Sequence, residues 1–189
     1  MEKMIQPVKP TRADLLAAKN KTVRDVIVPN LHVLFCGINP GLYSALTGHH
    51  FARPGNRFWP TLYQSGFTPR LLIPAEEREL LTLGYGITNL VARATAIADE
   101  LAPEELVSGR RGLETKVKRY QPQVLAVLGI GAYRTAFTKR TATLGKQLES
   151  LANATVWVLP NPSGLNAHYQ LANLVEHFRA LLLSVENGY

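Results

Sequence analysis

A chain of 189 residues, 46% of them hydrophobic, is long enough for one domain with a substantial core. Its single cysteine, Cys36, lies in an apolar run, which excludes an internal disulfide and a cysteine-built zinc or iron–sulfur site. No apolar stretch is long enough to span a bilayer, so a reduced, cytoplasmic protein without a membrane role is expected, and the formal charge of +7 points to an anionic partner.

Residues 1–25, with Pro7, Pro10 and scattered charge, read as a mobile arm holding one short helix near Arg12, whose deletion should spare the core; residues 26–189 read as one domain. The arm lacks the apolar segment of a signal peptide. Residues 31–38 are short, apolar and bounded by turn residues, the pattern of a buried parallel strand. A long loop follows over 41–56, crowded with side-chain chemistry for a connector (Gly48-His49-His50-Phe51, Arg53). Asn56 is placed to cap a helix reaching Gly66, with Phe58, Trp59, Leu62 and Tyr63 on its apolar face. Pro74 opens the next helix, where Glu76, Glu77 and Glu79 complement the positive helix end. A short strand over 86–90, a loop over 91–102 and a helix over 103–120, interrupted at Gly109 or Gly112, come next.

Residues 123–128 form the clearest second strand, turned by Gly129-Ile130-Gly131 into a helix through Lys139. The last strand spans 154–159, and a terminal amphipathic helix spans 169–183. Alternating strands and helices predict an α/β fold, a three-layer sandwich whose short, mainly parallel central sheet is flanked by helices. Such sheets place ligands outside the carboxyl ends of their strands. Two strands end in Asn-Pro turns, at Asn39-Pro40 and Asn161-Pro162, so the two turns are expected to form one pocket.

The charge is concentrated. From Arg110 to Lys146 nine basic residues face one acid, Glu114, which suits a nucleic acid as well as it suits a solvated surface. Other chemistries have weaker support. Gly129-Ile130-Gly131 lacks the third glycine of a dinucleotide fingerprint, since Arg134 stands there. His49 and His50 have no acidic or cysteine companion nearby in sequence, so no metal is expected. Cys36 reads as inert packing, and Ser163 sits outside any nucleophile elbow. Between Asp25 and Glu76 there is no Asp or Glu, so a reaction centred on Asn39 has no carboxylate base close in sequence. An asparagine donates and accepts hydrogen bonds but cannot take up a proton; a held water and a good leaving group would have to suffice.

Gly37-Ile38-Asn39-Pro40-Gly41-Leu42, Gly48-His49-His50-Phe51, Gly55-Asn56-Arg57-Phe58-Trp59, Gly86-Ile87-Thr88-Asn89-Leu90-Val91 and Asn161-Pro162-Ser163-Gly164-Leu165 together resemble the mismatch-specific uracil-DNA glycosylases and their thymine-DNA glycosylase relatives. The resemblance covers residues 26–182. It implies the uracil-DNA glycosylase fold and cofactor-free excision of uracil or thymine opposite guanine, by a monomer acting on duplex DNA with G:U or G:T mispairs. By the same resemblance Asn39 would hold the attacking water, with Asn89 and Thr95 supporting it. Phe51 would stack on a flipped pyrimidine, among Ile38, Gly41, His50 and Asn161. Ser44 falls where the family admits or rejects a methyl group on the base. Gly164 and Leu165 would form the wedge that fills the vacated stack. Some bacterial relatives carry an arginine where this chain has Ala167, so by the resemblance guanine contact would rest on Asn166 and backbone groups or would be weaker. Lys146 completes the DNA-contacting candidates. A catalytically silent reader of mismatched or abasic DNA is the alternative, and a small-molecule nucleoside enzyme ranks behind it.

Overall fold

The computed structural model describes residues 10–188. Five short strands form one sheet: β1 (Val33–Gly37), β2 (Tyr85–Asn89), β3 (Val124–Leu128), β4 (Gly145–Leu151) and β5 (Ala154–Leu159). Their spatial order is β2-β1-β3-β5-β4, and every pair is parallel except β4 with β5. Consecutive apolar residues run through β1, β3 and β5 because both faces of the sheet are covered. Val33, Phe35, Val124, Ala126, Leu128, Trp157 and Leu159 face α3 (Phe58–Ser65) and α6 (Leu171–Glu186). The alternate residues Leu34, Cys36, Leu125, Val127, Val156 and Val158 face α4 (Pro103–Tyr120) and α5 (Ile130–Ala136). This is the three-layer α/β sandwich expected. Registers such as Gly37 opposite Asn89 and Leu128 opposite Leu159 bring the parallel strands to a common carboxyl edge, where the functional turns begin.

Several elements depart from the sequence expectation. The strand β4 was not foreseen, because Lys146, Leu148, Glu149 and Ser150 are exposed and leave no apolar run to see. It is instead tied to β5 by a two-residue hairpin in which Ala152 and Asn153 both adopt left-handed backbone (φ 47° and 73°). The long loop after β1 contains a helix, α2 (Leu42–Thr47), and the segment Pro74–Leu83 is a 3₁₀ helix. The helix α4 is uninterrupted: Gly109 is there because any Cβ would strike the carbonyl of Leu90, so the glycine permits close approach rather than a break. The helix α5 ends at Ala136, short of Lys139.

The arm expected over residues 1–25 divides in two. Residues 1–9 lie outside the described residues. From Pro10 onward the chain is packed rather than loose. Helix α1 (Arg12–Ala17) has a capping box between Thr11 and Asp14, and Ala18 and Val23 bury themselves with Ala45 and Ala94. The Asn20 amide donates to the Ala94 carbonyl at 3.0 Å, and Val26 bridges Ile87. Asp25 pairs with Lys116 at 2.6 Å and accepts from Thr88 at 2.8 Å. The basic end of α4 lies at the opposite edge of the sheet from the functional turns, since Tyr120 O accepts from Asn30 N just before β1 begins.

Candidate active site

A cavity of about 570 Å³ opens at the carboxyl edge, between the turn after β1, the loop after β2 and the turn after β5. That volume is within the range of small-molecule sites. Ile38, Asn39, Gly41, Ser44, His50 and Phe51 line it, and so do Asn89, Thr95, Asn161 and Leu165. The sequence-expected residues therefore converge, with three exceptions. Gly164 and Asn166 belong to the adjoining loop, and Lys146 is exposed on β4, opposite Trp157. None of the described residues lining the cavity is Asp or Glu.

Asn39 has one permitted orientation. Its Nδ2 donates to the Arg93 carbonyl at 3.0 Å and to Thr95 Oγ1 at 2.7 Å, while that hydroxyl donates onward to the Ile97 carbonyl at 2.8 Å. A carbonyl can only accept, so both amide hydrogens are committed, and Oδ1 is left to accept from whatever enters the cavity. The loop carrying these acceptors is itself fixed. Arg93 grips Glu105 through Nε at 2.6 Å and Nη2 at 2.8 Å, a bidentate pair that holds the Glu105 carboxyl down to about 2. Thr95 N also donates to Pro40 O at 3.2 Å, stitching the loop to the Asn39 turn.

Asn89 is bonded within a second network. His50 Nε2 faces the Arg24 carbonyl at 3.0 Å and must carry the proton, which leaves Nδ1 bare to accept from Asn89 Nδ2 at 3.4 Å. Burial pushes the His50 imidazole below its ordinary range, against an opposing pull from Glu77, so the neutral ring is the working form. Glu77 is buried and accepts from the His50 backbone at 2.8 Å and pairs with His49 Nδ1 at 3.2 Å. The acidic companion missing near the histidines in sequence thus arrives from the 3₁₀ helix. Nothing in the sequence marked it, since Glu77 stands there beside Glu76 and Glu79 as one of three acids in an expected helix.

Gly37 allows this crowding: a Cβ there would lie 2.6 Å from Asn89 Oδ1 and 3.3 Å from Phe51 Cζ. Phe51 itself has left-handed backbone (φ 53°) and stacks on Phe58 with centroids 4.0 Å apart, so a braced aromatic ring borders the cavity. The Ser44 hydroxyl accepts from Ala52 N at 3.1 Å and closes the α2 loop. Cys36 is buried with its thiol pushed up to about 12 by burial, which keeps it protonated and unreactive. Asn161 folds back on its own turn, its Oδ1 accepting from Ser163 N at 3.0 Å, while Leu165 stands 58% exposed beyond it. Among the described residues no group of three or more His, Cys, Asp or Glu is arranged to hold a metal ion, and no helix is long and apolar enough to cross a membrane. Arg57 and Arg93 escaped the sequence reading because their partners are backbone carbonyls and a distant carboxylate.

Fold and site define the class of α/β domains with a ligand pocket built from turns at the ends of parallel strands. Within that class the chain belongs to the uracil DNA glycosylase superfamily, whose family model matches residues 25–183. Among solved structures it is similar to the solution NMR structure of a "putative Uracil DNA glycosylase" from Methanosarcina acetivorans, at 17% identity and a TM-score of 0.59, covering 88% of this chain and 98% of that one. That likeness bears on the fold, and the family match supports a glycosylase-type function.

Proposed function

We propose that this chain is a monofunctional DNA glycosylase that removes uracil from U·G mispairs in duplex DNA and leaves an abasic site, with thymine opposite guanine as a weaker substrate. The carrying observation is Asn39, a cavity-lining residue whose two Nδ2 hydrogens are committed to the protein, leaving Oδ1 as the side-chain atom for a ligand. In this reading a mispaired nucleotide flips into the cavity, where opening costs less than at a matched pair. The pyrimidine stacks on Phe51, already braced by Phe58. Asn89, steadied by neutral His50, retains a second Nδ2 hydrogen and Oδ1 for the polar edge of the base.

The C1′–N bond breaks ahead of attack, its electron pair leaving with the base as a stabilised anion, and the sugar becomes oxocarbenium-like. A water held by Asn39 Oδ1 adds to C1′ and releases its proton to the departing base or to solvent. A carboxylate-free cavity is compatible with this order of events, because the nucleophile meets a cation and needs little activation. Leu165 would fill the vacated stack, and Lys146 and Asn166 would meet the DNA beside it.

Uracil release from otherwise identical oligonucleotides carrying U·G, T·G, U·A or single-stranded uracil tests the reading, with wild type beside Asn39→Ala. Release from U·G that collapses in the variant is expected. Duplex binding with no release from any substrate would replace the enzyme with a silent reader of damaged DNA. Strand cleavage before alkali treatment would remove the monofunctional assignment.

A further inference from the structure

Arg57 lies beneath the loop that carries Leu165. Its backbone N–H donates to Pro162 O at 3.0 Å, its Nη1 to Tyr169 O at 2.5 Å, and its Nη2 to Asn166 O at 2.8 Å and to Ser163 O. Three carbonyls of one loop thus converge on a single guanidinium. Among the described residues no carboxylate pairs with this cation, and its Nε is buried without a partner. A second hold comes from the residue two positions earlier, since a Cβ on Gly164 would lie 2.5 Å from the Gly55 carbonyl. One short stretch therefore fixes the loop on both sides of Leu165, an apolar side chain kept 58% exposed.

We propose that Arg57 is a positioning residue for base-pair opening: it presets the loop over residues 163–169 so that Leu165 is aimed before DNA arrives. The inference rests on the glycosylase reading above. A loop ordered in the free protein does not have to be ordered at binding, so more of the contact free energy remains for unstacking the duplex. The guanidinium suits this task because its planar fork offers several fixed donors, whereas an ammonium is a point charge on a flexible stem. Geometry, rather than the charge alone, is the quantity supplied.

The test combines Arg57→Lys, Arg57→Met and Gly164→Ala, each with and without Leu165→Ala, on a U·G duplex with 2-aminopurine beside the mispair. Fluorescence reports unstacking, alkaline scission reports base release, and thermal unfolding reports the fold. With Leu165 present, all three substitutions are expected to lower both readouts by about tenfold or more, since misplacement by an ångström can cost about a hundredfold. In the Leu165→Ala background they should change little further, because residues acting through one element are not additive. Retention of both readouts in Arg57→Lys would assign the effect to charge and overturn the proposal. A loss of equal size in the Leu165→Ala background would overturn it as well. Wild type that unstacks without releasing uracil would sink the glycosylase reading while the fluorescence comparison still decides the role of Arg57. Wild type that does neither would overturn both.

Discussion

The two Asn-Pro turns share an edge of the sheet and a cavity, yet they use their asparagines in opposite ways. After β1, Asn39 reaches across to a loop more than fifty positions along the chain, bonding Arg93 O and Thr95 Oγ1 and keeping Oδ1 unspent. After β5, Asn161 spends its Oδ1 on Ser163 N only two positions on, and its carbonyl accepts from Asn166 Nδ2 at 2.9 Å. The first asparagine is held by its surroundings and is free to act on a ligand. The second holds its own turn and thereby shapes the loop that projects Leu165. Identical dipeptides thus differ in what their side chains leave open to a ligand, according to whether those side chains' partners are distant or local.

Four substitutions or conditions probe that contrast. Asn39→Ala should cut single-turnover uracil release by roughly 10²–10⁴-fold with little change in duplex affinity, the range for a group that acts on the reacting water in the transition state. Equal losses in rate and affinity would make Asn39 a binding residue like its counterpart. Thr95→Val removes the acceptor that fixes the Asn39 amide, and a loss of about 10- to 100-fold in the same assay is expected. An unchanged rate would mean that the Arg93 carbonyl alone suffices.

Acidification comes next. A histidine whose folded value is depressed is fully neutral, and fully contributing, above the ordinary value of about 6.5, and its contribution is lost as pH falls toward the lowered value. Protonated His50 can no longer accept from Asn89 Nδ2, so base release and melting temperature should both decline over that window. His50→Gln should flatten the decline; a profile identical to wild type would detach His50 from Asn89. The smallest effect is expected for Asn161→Ala. Loss of a partly exposed turn bond costs about 1 kcal/mol, seen as a small drop in melting temperature and a few-fold drop in release. A collapse comparable to Asn39→Ala would erase the distinction between the turns.

Much of the sheet was legible because β1, β3 and β5 are covered on both faces and therefore advertise themselves as unbroken apolar runs. The edge strand β4 gave no such signal, being half in water and defined by a hairpin whose left-handed residues are Ala152 and Asn153 rather than glycines. Cavity residues were legible where they sit in turns at strand ends. What the residues hold was not: neither the bond between Asn89 and His50 nor the burial of Glu77, which resembled an ordinary helix-end acid, is marked in the sequence. The basic run was visible but its place was not: the final turn of α4 stands at the far edge of the sheet, and Lys116 is engaged with Asp25 and Thr88. Long-range pairing decides such matters, and no local pattern encodes it.

The segment that holds helix α1 gives the cavity a wall that lies outside the family match. Pro10 and Leu15 contribute to its lining, yet both precede residue 25, where the match to the family begins. Asn39, Phe51 and Asn89 come from the matched portion, so one compartment joins two separate stretches of the chain. That wall is fastened, through Lys19 to Glu100 and Asn20 to Ala94, to the same loop whose Arg93 carbonyl and Thr95 hydroxyl orient the Asn39 amide, so a shift of the wall is felt at Asn39.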